Sequence, residues 1–224
     1  MAQGLAGPIQ PPRYQGYVED IAESGHQLLG LINKILDFSK ATSGDLPIRH
    51  SAVDLEAVVA SSCLAIAHAA SQSDTPINLE RRTPHWPKLE ADEARLKEIL
   101  ANLLSNAVKA SPKGKPVRLR VVEAGRWVWL IIADHGAGMA LGEVESLMAA
   151  PYGAPTAEAP ATTGLGLGLA MARTLLDLHG GKLKVRSRLG RGTVAAAVLP
   201  LQAASARPPM PVGLDEPGRV IPFR

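Results

Sequence analysis

The sequence predicts an α/β domain preceded by one long bundle helix, and three observations carry that reading. Strand-like and helix-like segments alternate from about residue 51 to residue 201. Ahead of them, Val18, Ile21, Gly25, Leu28, Ile32, Ile35 and Ser39 follow the 3-4-3-4 spacing of a helix–helix seam. Apolar residues make up 46% of the 224 residues but aromatics only 4%, so aliphatic side chains must fill the core. The single cysteine, Cys63, excludes an intrachain disulfide framework and a cysteine-based zinc site. A formal net charge of +3 with no basic block gives no footprint for nucleic acid. No apolar run approaches the roughly 18–20 residues that cross a bilayer, and the opening Met1-Ala2-Gln3-Gly4 has neither the basic flank nor the apolar stretch of a signal peptide. The expectation is a cytoplasmic chain without membrane contact in this segment.

Each element follows in order. Residues 1–16, with Gly4, Gly7, Pro8, Pro11 and Pro12, read as loop. Residues 17–43 read as the bundle helix, whose seam Leu29, Leu31, Leu36 and Phe38 widen and which Gly44 and Pro47 end. Ser51 to Ser71 is Ala-rich and reads as helix, and Ile77 to Glu80 as a short strand. Asp92 is placed to cap a helix that runs to about Ala110 and closes on Ser111-Pro112-Lys113-Gly114. Val117, Leu119 and Val121 alternate along a half-buried strand, and Trp127 to Ala133 forms a more continuously apolar one. A helix from about Leu165 to Leu178 stops at Gly180-Gly181. Strands over Lys182–Ser187 and Thr193–Leu199 then flank the turn Leu189-Gly190-Arg191-Gly192. Residues 202–224 hold Pro208, Pro209, Pro211, Pro217 and Pro222 and read as a disordered tail.

Three short stretches carry chemistry. On the helix after Asp92, Asn102, Asn106 and Lys109 stand at i, i+4 and i+7, presenting two amides and an ammonium on one surface. Asparagine is a poor interior helix residue, because it competes with the backbone for hydrogen bonds. A solvated polar face would explain the trio, but so would an ion and phosphate site, since an amide carbonyl is a hard oxygen ligand suited to Mg²⁺. Next, Asp134-His135-Gly136-Ala137-Gly138 follows directly on an apolar strand. A carboxylate there needs a donor, such as an exocyclic amine, and the two glycines let backbone approach a flat ligand; a capped strand-to-loop turn is the plainer alternative. Finally, Gly164-Leu165-Gly166-Leu167-Gly168 opens a helix, where bare N–H groups and the helix dipole favour phosphate. The stretch is neither a P-loop, which needs Gly-Lys-Ser/Thr, nor a dinucleotide fingerprint, which needs G-x-G-x-x-G directly after a strand.

In this order the three stretches resemble the catalytic and ATP-binding domain of sensor histidine kinases, in the superfamily shared with DNA gyrase, the heat-shock chaperone ATPases and the MutL repair proteins. The resemblance covers residues 17 to 201. Arg95 to Ala107 looks like the family's asparagine box, and Glu145 to Gly153 like its phenylalanine box with Tyr152 in place of Phe. Ala170 to Gly181 continues the last glycine box. The resemblance implies a two-layer α/β sandwich, the Bergerat-type ATP-binding fold, with a mixed sheet and helices on one face over residues 44–201. It implies ATP and Mg²⁺ as cofactors: Asn106 on the ion, Lys109 on the phosphates, Asp134 on the adenine amino group and Gly136 and Gly138 at the base. Gly164, Gly166 and Gly168, with Leu165 and Leu167 between them, would meet the phosphates and form a hinge of the lid. Residues 17–43, ending Asp37-Phe38-Ser39-Lys40, resemble the second helix of the dimerisation and phosphotransfer hairpin, so a homodimer through that helix is implied. A response regulator or phosphotransfer protein would be its partner.

Asn102 stands where hydrolysing members of the superfamily carry a water-activating Glu. Transfer to a side chain is therefore favoured over attack by water. Two features depart from the family pattern. No His-Glu-x-x-Thr-Pro precedes residue 17, and neither His26, His135 nor His179 has the neighbours of a phosphoacceptor. Between Arg126 and Arg173 there is no Lys or Arg, so no base stands in the lid segment. The expected function is transfer of the ATP γ-phosphate to a histidine outside this sequence; the alternative is a degenerate kinase serving as a nucleotide-binding or dimerisation module.

Overall fold

The computed structural model describes residues 13–43, 45–149 and 167–202, and the chain divides into two units, Met1–Leu46 and Pro47–Arg224. In the first, α1 (Arg13–Thr42) is a continuous helix. It begins four residues before the expected boundary. After Pro12 only Gly16 opposes helix, at a cost of about 1 kcal/mol, and the Tyr14 and Tyr17 rings pack one turn apart with centroids 6.2 Å from each other. Tyr17, Ile21, Leu28, Leu29, Ile32 and Leu36 are all exposed along it.

The second unit corrects the sequence reading at its start. Ser51–Val53 is a strand, β1, rather than the beginning of a helix. The helix α2 (Leu55–Gln72) starts only after Asp54, whose backbone is extended and whose carboxylate accepts from the Ala57 N–H at 3.0 Å. A capping residue interrupts helical backbone by its own conformation, which leaves the residues before it free to pair. β1 pairs antiparallel with β3 (Leu89–Ala91), a strand too short to show a period in the sequence. Between them lies β2 (Ile77–Arg81).

α3 (Glu93–Ala110), β4 (Val117–Ala124), β5 (Trp127–Ala133), α5 (Leu167–Leu178), β6 (Lys182–Arg188) and β7 (Gly192–Pro200) fall close to expectation, while α4 (Leu141–Ala149) is a helix the sequence reading did not assign. The main sheet has the order β2-β4-β5-β7-β6, with β2 parallel to β4 and every other pair antiparallel. It is the mixed sheet of the expected two-layer sandwich. Leu119, Val121, Leu130, Ile132 and Ala197 line its inner side, and α2, α3 and α5 cover it, α3 and α5 with a fully buried row of Leu96, Ile99, Leu100, Leu104 and Leu175. On the outer side Trp127, Trp129, Ala196 and Val198 form a second cluster, and the Lys184 Nζ lies 4.7 Å from the Trp129 ring centre. At the β2 edge, Arg120 Nη2 and Nε both donate to Glu80 Oε2, at 2.9 and 3.1 Å, across directly paired positions.

Candidate nucleotide site

The site begins with the amphipathic run of α3. Asp92 caps the helix by accepting from the Arg95 N–H at 3.2 Å. The buried Leu96, Ile99, Leu100, Leu103, Leu104, Ala107 and Val108 fix its rotation against the sheet. The opposite face starts with a self-satisfied ion pair, Arg95 Nη1 to Glu98 Oε2 at 2.8 Å. Beyond it come Asn102, half-buried, then Asn106 and Lys109, both exposed. None of these three side chains makes a hydrogen bond or ion pair among the described residues.

What the two amides face is the start of α5. A Cβ placed on Gly168 would lie 3.3 Å from Asn102 Oδ1 and 3.7 Å from Asn106 Nδ2. Two stretches 62 to 66 positions apart in sequence therefore meet, amides against a helix N-terminus, where unsatisfied N–H groups and the helix dipole attract anions. Leu167 is the first residue of α5. Gly164, Leu165 and Gly166, and the end of the phenylalanine-box stretch from Ala150, lie outside the described residues. Arg173 on α5 donates to the Met148 carbonyl of α4 at 2.6 Å, tying that stretch's helix to α5.

Asp134 sits at the end of β5 and is 6% exposed. Its Oδ1 accepts from the Gly136 N–H at 2.8 Å and from the Thr193 N–H at 3.0 Å. Both donors take the same oxygen, which leaves Oδ2 without a protein donor among the described residues. Burial raises the Asp134 pKa above its ordinary value, against the two backbone donors and the nearby His135. The loop that follows is shaped by the protein's own backbone. A Cβ on Gly136 would come 2.7 Å from the Ala110 carbonyl oxygen at the end of α3. Gly138, at φ +70°, would drive a Cβ into the Arg188 carbonyl. Both glycines are thus required for close packing of the loop between α3 and the β6–β7 turn, a reason beyond the ligand approach inferred from sequence.

The β6–β7 turn supplies residues that motif reasoning did not single out. Gly192, at φ +85°, leaves no room for a Cβ beside the Asp134 carbonyl. Ser187 Oγ accepts from the Met139 N–H at 2.8 Å and bonds the Gly192 carbonyl at 3.1 Å. The signal available was the Gly190-Arg191-Gly192 spacing, which read only as a turn. The partly buried His135 has its Nδ1 3.0 Å from the Pro116 carbonyl. Among the described residues no three His, Cys, Asp or Glu side chains gather to hold a metal, and no helix is long and apolar enough to cross a membrane. The Asn106 amide oxygen is a hard donor of the kind Mg²⁺ accepts. With one such ligand a Mg²⁺ ion would take most of its coordination from phosphate and water, which fits that ion's habit.

A mixed sheet of this topology, with helix amides facing the start of α5 and a buried carboxylate at the end of β5, defines a nucleotide-binding ATPase-type domain. Residues 91–203 match the family of histidine kinase-, DNA gyrase B- and HSP90-like ATPases, and the chain belongs to that family. Within it the chain carries the catalytic domain of the histidine kinase branch. It is similar to the non-motile and phage-resistance protein of Caulobacter vibrioides, with 33% identity over 90% of this chain and 24% of that protein. The histidine protein kinase DivJ of the same organism is 34% identical over 93% of this chain and 35% of its own length. The chain thus spans about a quarter to a third of these relatives. Among solved structures, full-length ShkA in complex with AMPPNP superposes with a TM-score of 0.75 and 28% identity, over 92% of this chain and 42% of that one.

Proposed function

We propose that this chain is the ATP-binding catalytic core of a two-component histidine kinase that transfers the γ-phosphate of ATP to a histidine outside these 224 residues. The observation that carries the reading is the meeting of Asn102 and Asn106 with Gly168 at the start of α5. Two amides that have no partner among the described residues meet the start of a helix there, and both amides and helix N–H groups are suited to phosphate. In this reading Asp134 Oδ2 accepts from the adenine amino group. Its ionised form is the one needed, because only that form has an acceptor and no donor on the oxygen facing the base.

Lys109 reaches the phosphates as a mobile point charge. The α5 N-terminus, opened by Gly164, Gly166 and Gly168 with Leu165 and Leu167 between them, donates backbone N–H groups to the same phosphates. Bound Mg²⁺, held on the protein by Asn106, would supply charge neutralisation on the phosphates. Asn102, standing in the place of the Glu that activates water in hydrolysing relatives, has no basic oxygen or nitrogen. It can orient a phosphate oxygen through its amide but cannot take a proton from water, so transfer prevails over hydrolysis. That ShkA, similar over 92% of this chain, is solved in complex with AMPPNP supports a nucleotide ligand.

The helix α1 would serve as a dimer seam. Its exposed Ile21, Leu28, Leu29, Ile32 and Leu36 form an apolar face that water disfavours, and a helix of 30 residues, about 45 Å long, offers enough length for a stable pairing. A response regulator or phosphotransfer protein is the proposed recipient of the phosphoryl group. Titration with Mg-ATP followed by incubation with γ-labelled ATP and a separately supplied acceptor hairpin tests the whole reading. Binding with label appearing on the hairpin is expected. No binding, or label appearing only as free phosphate, would sink it.

A further inference from the structure

The two helices of the site are also joined at their far ends, by a histidine the proposed chemistry does not use. His179 follows α5 directly and is 4% exposed. Its Nδ1 lies 2.7 Å from the Leu175 carbonyl, and its Nε2 lies 3.1 Å from the Asp92 backbone nitrogen. A carbonyl can only accept and a backbone N–H can only donate. The pair therefore fixes the ring as the neutral tautomer with its proton on Nδ1 and a lone pair on Nε2. Asp92 is the N-cap of α3, so the imidazole ties the capping residue of the asparagine helix to the end of α5.

The segment entering this unit is fastened at the same point. The Arg49 N–H donates to Asp92 Oδ2 at 3.1 Å, and the His50 ring stands edge-on to His179 with centroids 5.5 Å apart. From this junction α3 runs about 15 Å to Asn102, and α5 runs back about 16 Å from its end to Gly168. Two rods joined at one end and packed along buried rows keep a set angle at the other. A tilt of about 4° over that length moves the α5 start by about 1 Å, a displacement that in a positioned site costs about 100-fold.

We infer that His179 is a positioning residue, a neutral-imidazole latch that sets α5 against α3 and fastens the incoming chain at residues 49–50, so that Asn102, Asn106 and Gly168 keep the spacing a triphosphate needs. The inference rests on the nucleotide-binding reading above. Protonation at Nε2 would set two donors, the ring N–H and the Asp92 N–H, against each other and open the latch. The charged and titratable groups facing the ring are His50 from the entering segment, which opposes its protonation, and Asp92 from α3, which favours it. Burial is the largest influence and keeps the ring neutral.

The test uses the full chain and two substitutions. Gln at 179 can place its amide oxygen near the position of Nε2 and accept from Asp92. Asn at 179 can reach the Leu175 carbonyl but falls short of Asp92. Expected for H179N are at least tenfold weaker Mg-ATP binding at pH 7.5 and at least tenfold faster amide hydrogen exchange at Asp92. H179Q stays within about threefold of wild type in both. Acidification from pH 7.5 through the folded His179 value should weaken binding relative to H179Q, and should lower the protection of the Asp92 amide (the intrinsic exchange rate at that pH divided by the observed rate) in wild type but not in H179Q. Equal affinities and equal Asp92 exchange in the two variants would overturn the latch, as would a wild-type pH response that H179Q retains. If H179N does not fold, judged by circular dichroism, the comparison of wild type with H179Q across pH decides. If wild type itself fails to bind Mg-ATP, the nucleotide reading falls, and Asp92 exchange alone judges the latch.

Discussion

Asp134 and Thr193, 59 positions apart, hold each other through two hydrogen bonds: the Asp134 N–H donates to the Thr193 carbonyl at 2.9 Å, and the Thr193 N–H donates to Asp134 Oδ1 at 3.0 Å. The β7 backbone thereby occupies one carboxylate oxygen and aims the other. The carboxylate is preorganised before any ligand arrives, which lowers the ordering cost of binding.

Asp134→Asn is expected to separate binding from folding. The amide can keep an oxygen toward Gly136 and Thr193, but then presents an NH₂ group where the adenine amine must donate. Mg-ATP affinity should fall at least tenfold. Stability should not fall with it. A carboxyl whose folded pKa is raised contributes stability that is fully present below its unfolded value of 3.8 and lost as pH rises through the folded value. The ionised group therefore costs stability at neutral pH, and the uncharged amide does not. Thermal unfolding at pH 7 beside calorimetric titration checks both halves, and a variant that binds as well as wild type contradicts the adenine role.

Two glycine substitutions should behave oppositely. Gly138→Ala forces a side chain to φ +70° against the Arg188 carbonyl. The positive φ alone should cost about 1–3 kcal/mol of stability, read as a lowered thermal midpoint. Gly168→Ala lies within helical backbone, where alanine is favoured by about 1 kcal/mol, and adds a methyl 3.3 Å from Asn102 Oδ1. The fold should hold while nucleotide affinity drops. Unchanged affinity in Gly168→Ala would show that the amides and the helix start do not share a ligand.

Acid should weaken the domain in two windows. Burial depresses the His179 pKa below its ordinary 6.5, so its contribution is full above pH 6.5 and is lost as pH falls through the folded value. Asp92 follows lower. Burial would raise it, but the N–H groups of Arg49, Arg95 and Ala94 and the charge of His179 outweigh that and hold it below 3.8. Its contribution is present above pH 3.8 and lost on further acidification. Denaturant midpoints measured from pH 8 to pH 3 should show the first decline in wild type and not in H179Q.

Phosphoryl transfer should be slow relative to binding. No Lys or Arg occurs between Arg126 and Arg173, so on this chain Lys109 and the α5 N-terminus carry the protein's share of phosphate neutralisation. Single-turnover labelling of a supplied hairpin should lag that of a catalytic domain with a basic lid residue, at matched nucleotide occupancy. Equal rates would remove the lid from the account.

Reversing the exposed seam of α1 tests the dimer. Leu28→Asp with Ile32→Asp places two charges on the apolar face and should give a monomer by sedimentation, with Mg-ATP affinity unchanged within about twofold because the site lies in the other unit. Retention of the dimer would place its interface elsewhere.

The sequence by itself determined most of the helices and the principal strands of the main sheet, though not α4, because each carries a periodic apolar face long enough to read: α3 with its Asp92 cap, β4 by alternation, β5 as a buried run. It also named Asn102, Asn106, Lys109, Asp134 and the glycines, since asparagine in a helix interior and glycine in clusters violate local preference and so demand a reason. Only the tertiary structure decided that Ser51–Val53 is a strand, because a three-residue pairing leaves no period. It also decided that Gly136 and Gly138 answer to the Ala110 and Arg188 backbone, that Thr193 aims Asp134, and that His179 joins Asp92. Those are contacts between positions 26 to 87 residues apart, and no local pattern records which distant donor a buried acceptor will meet.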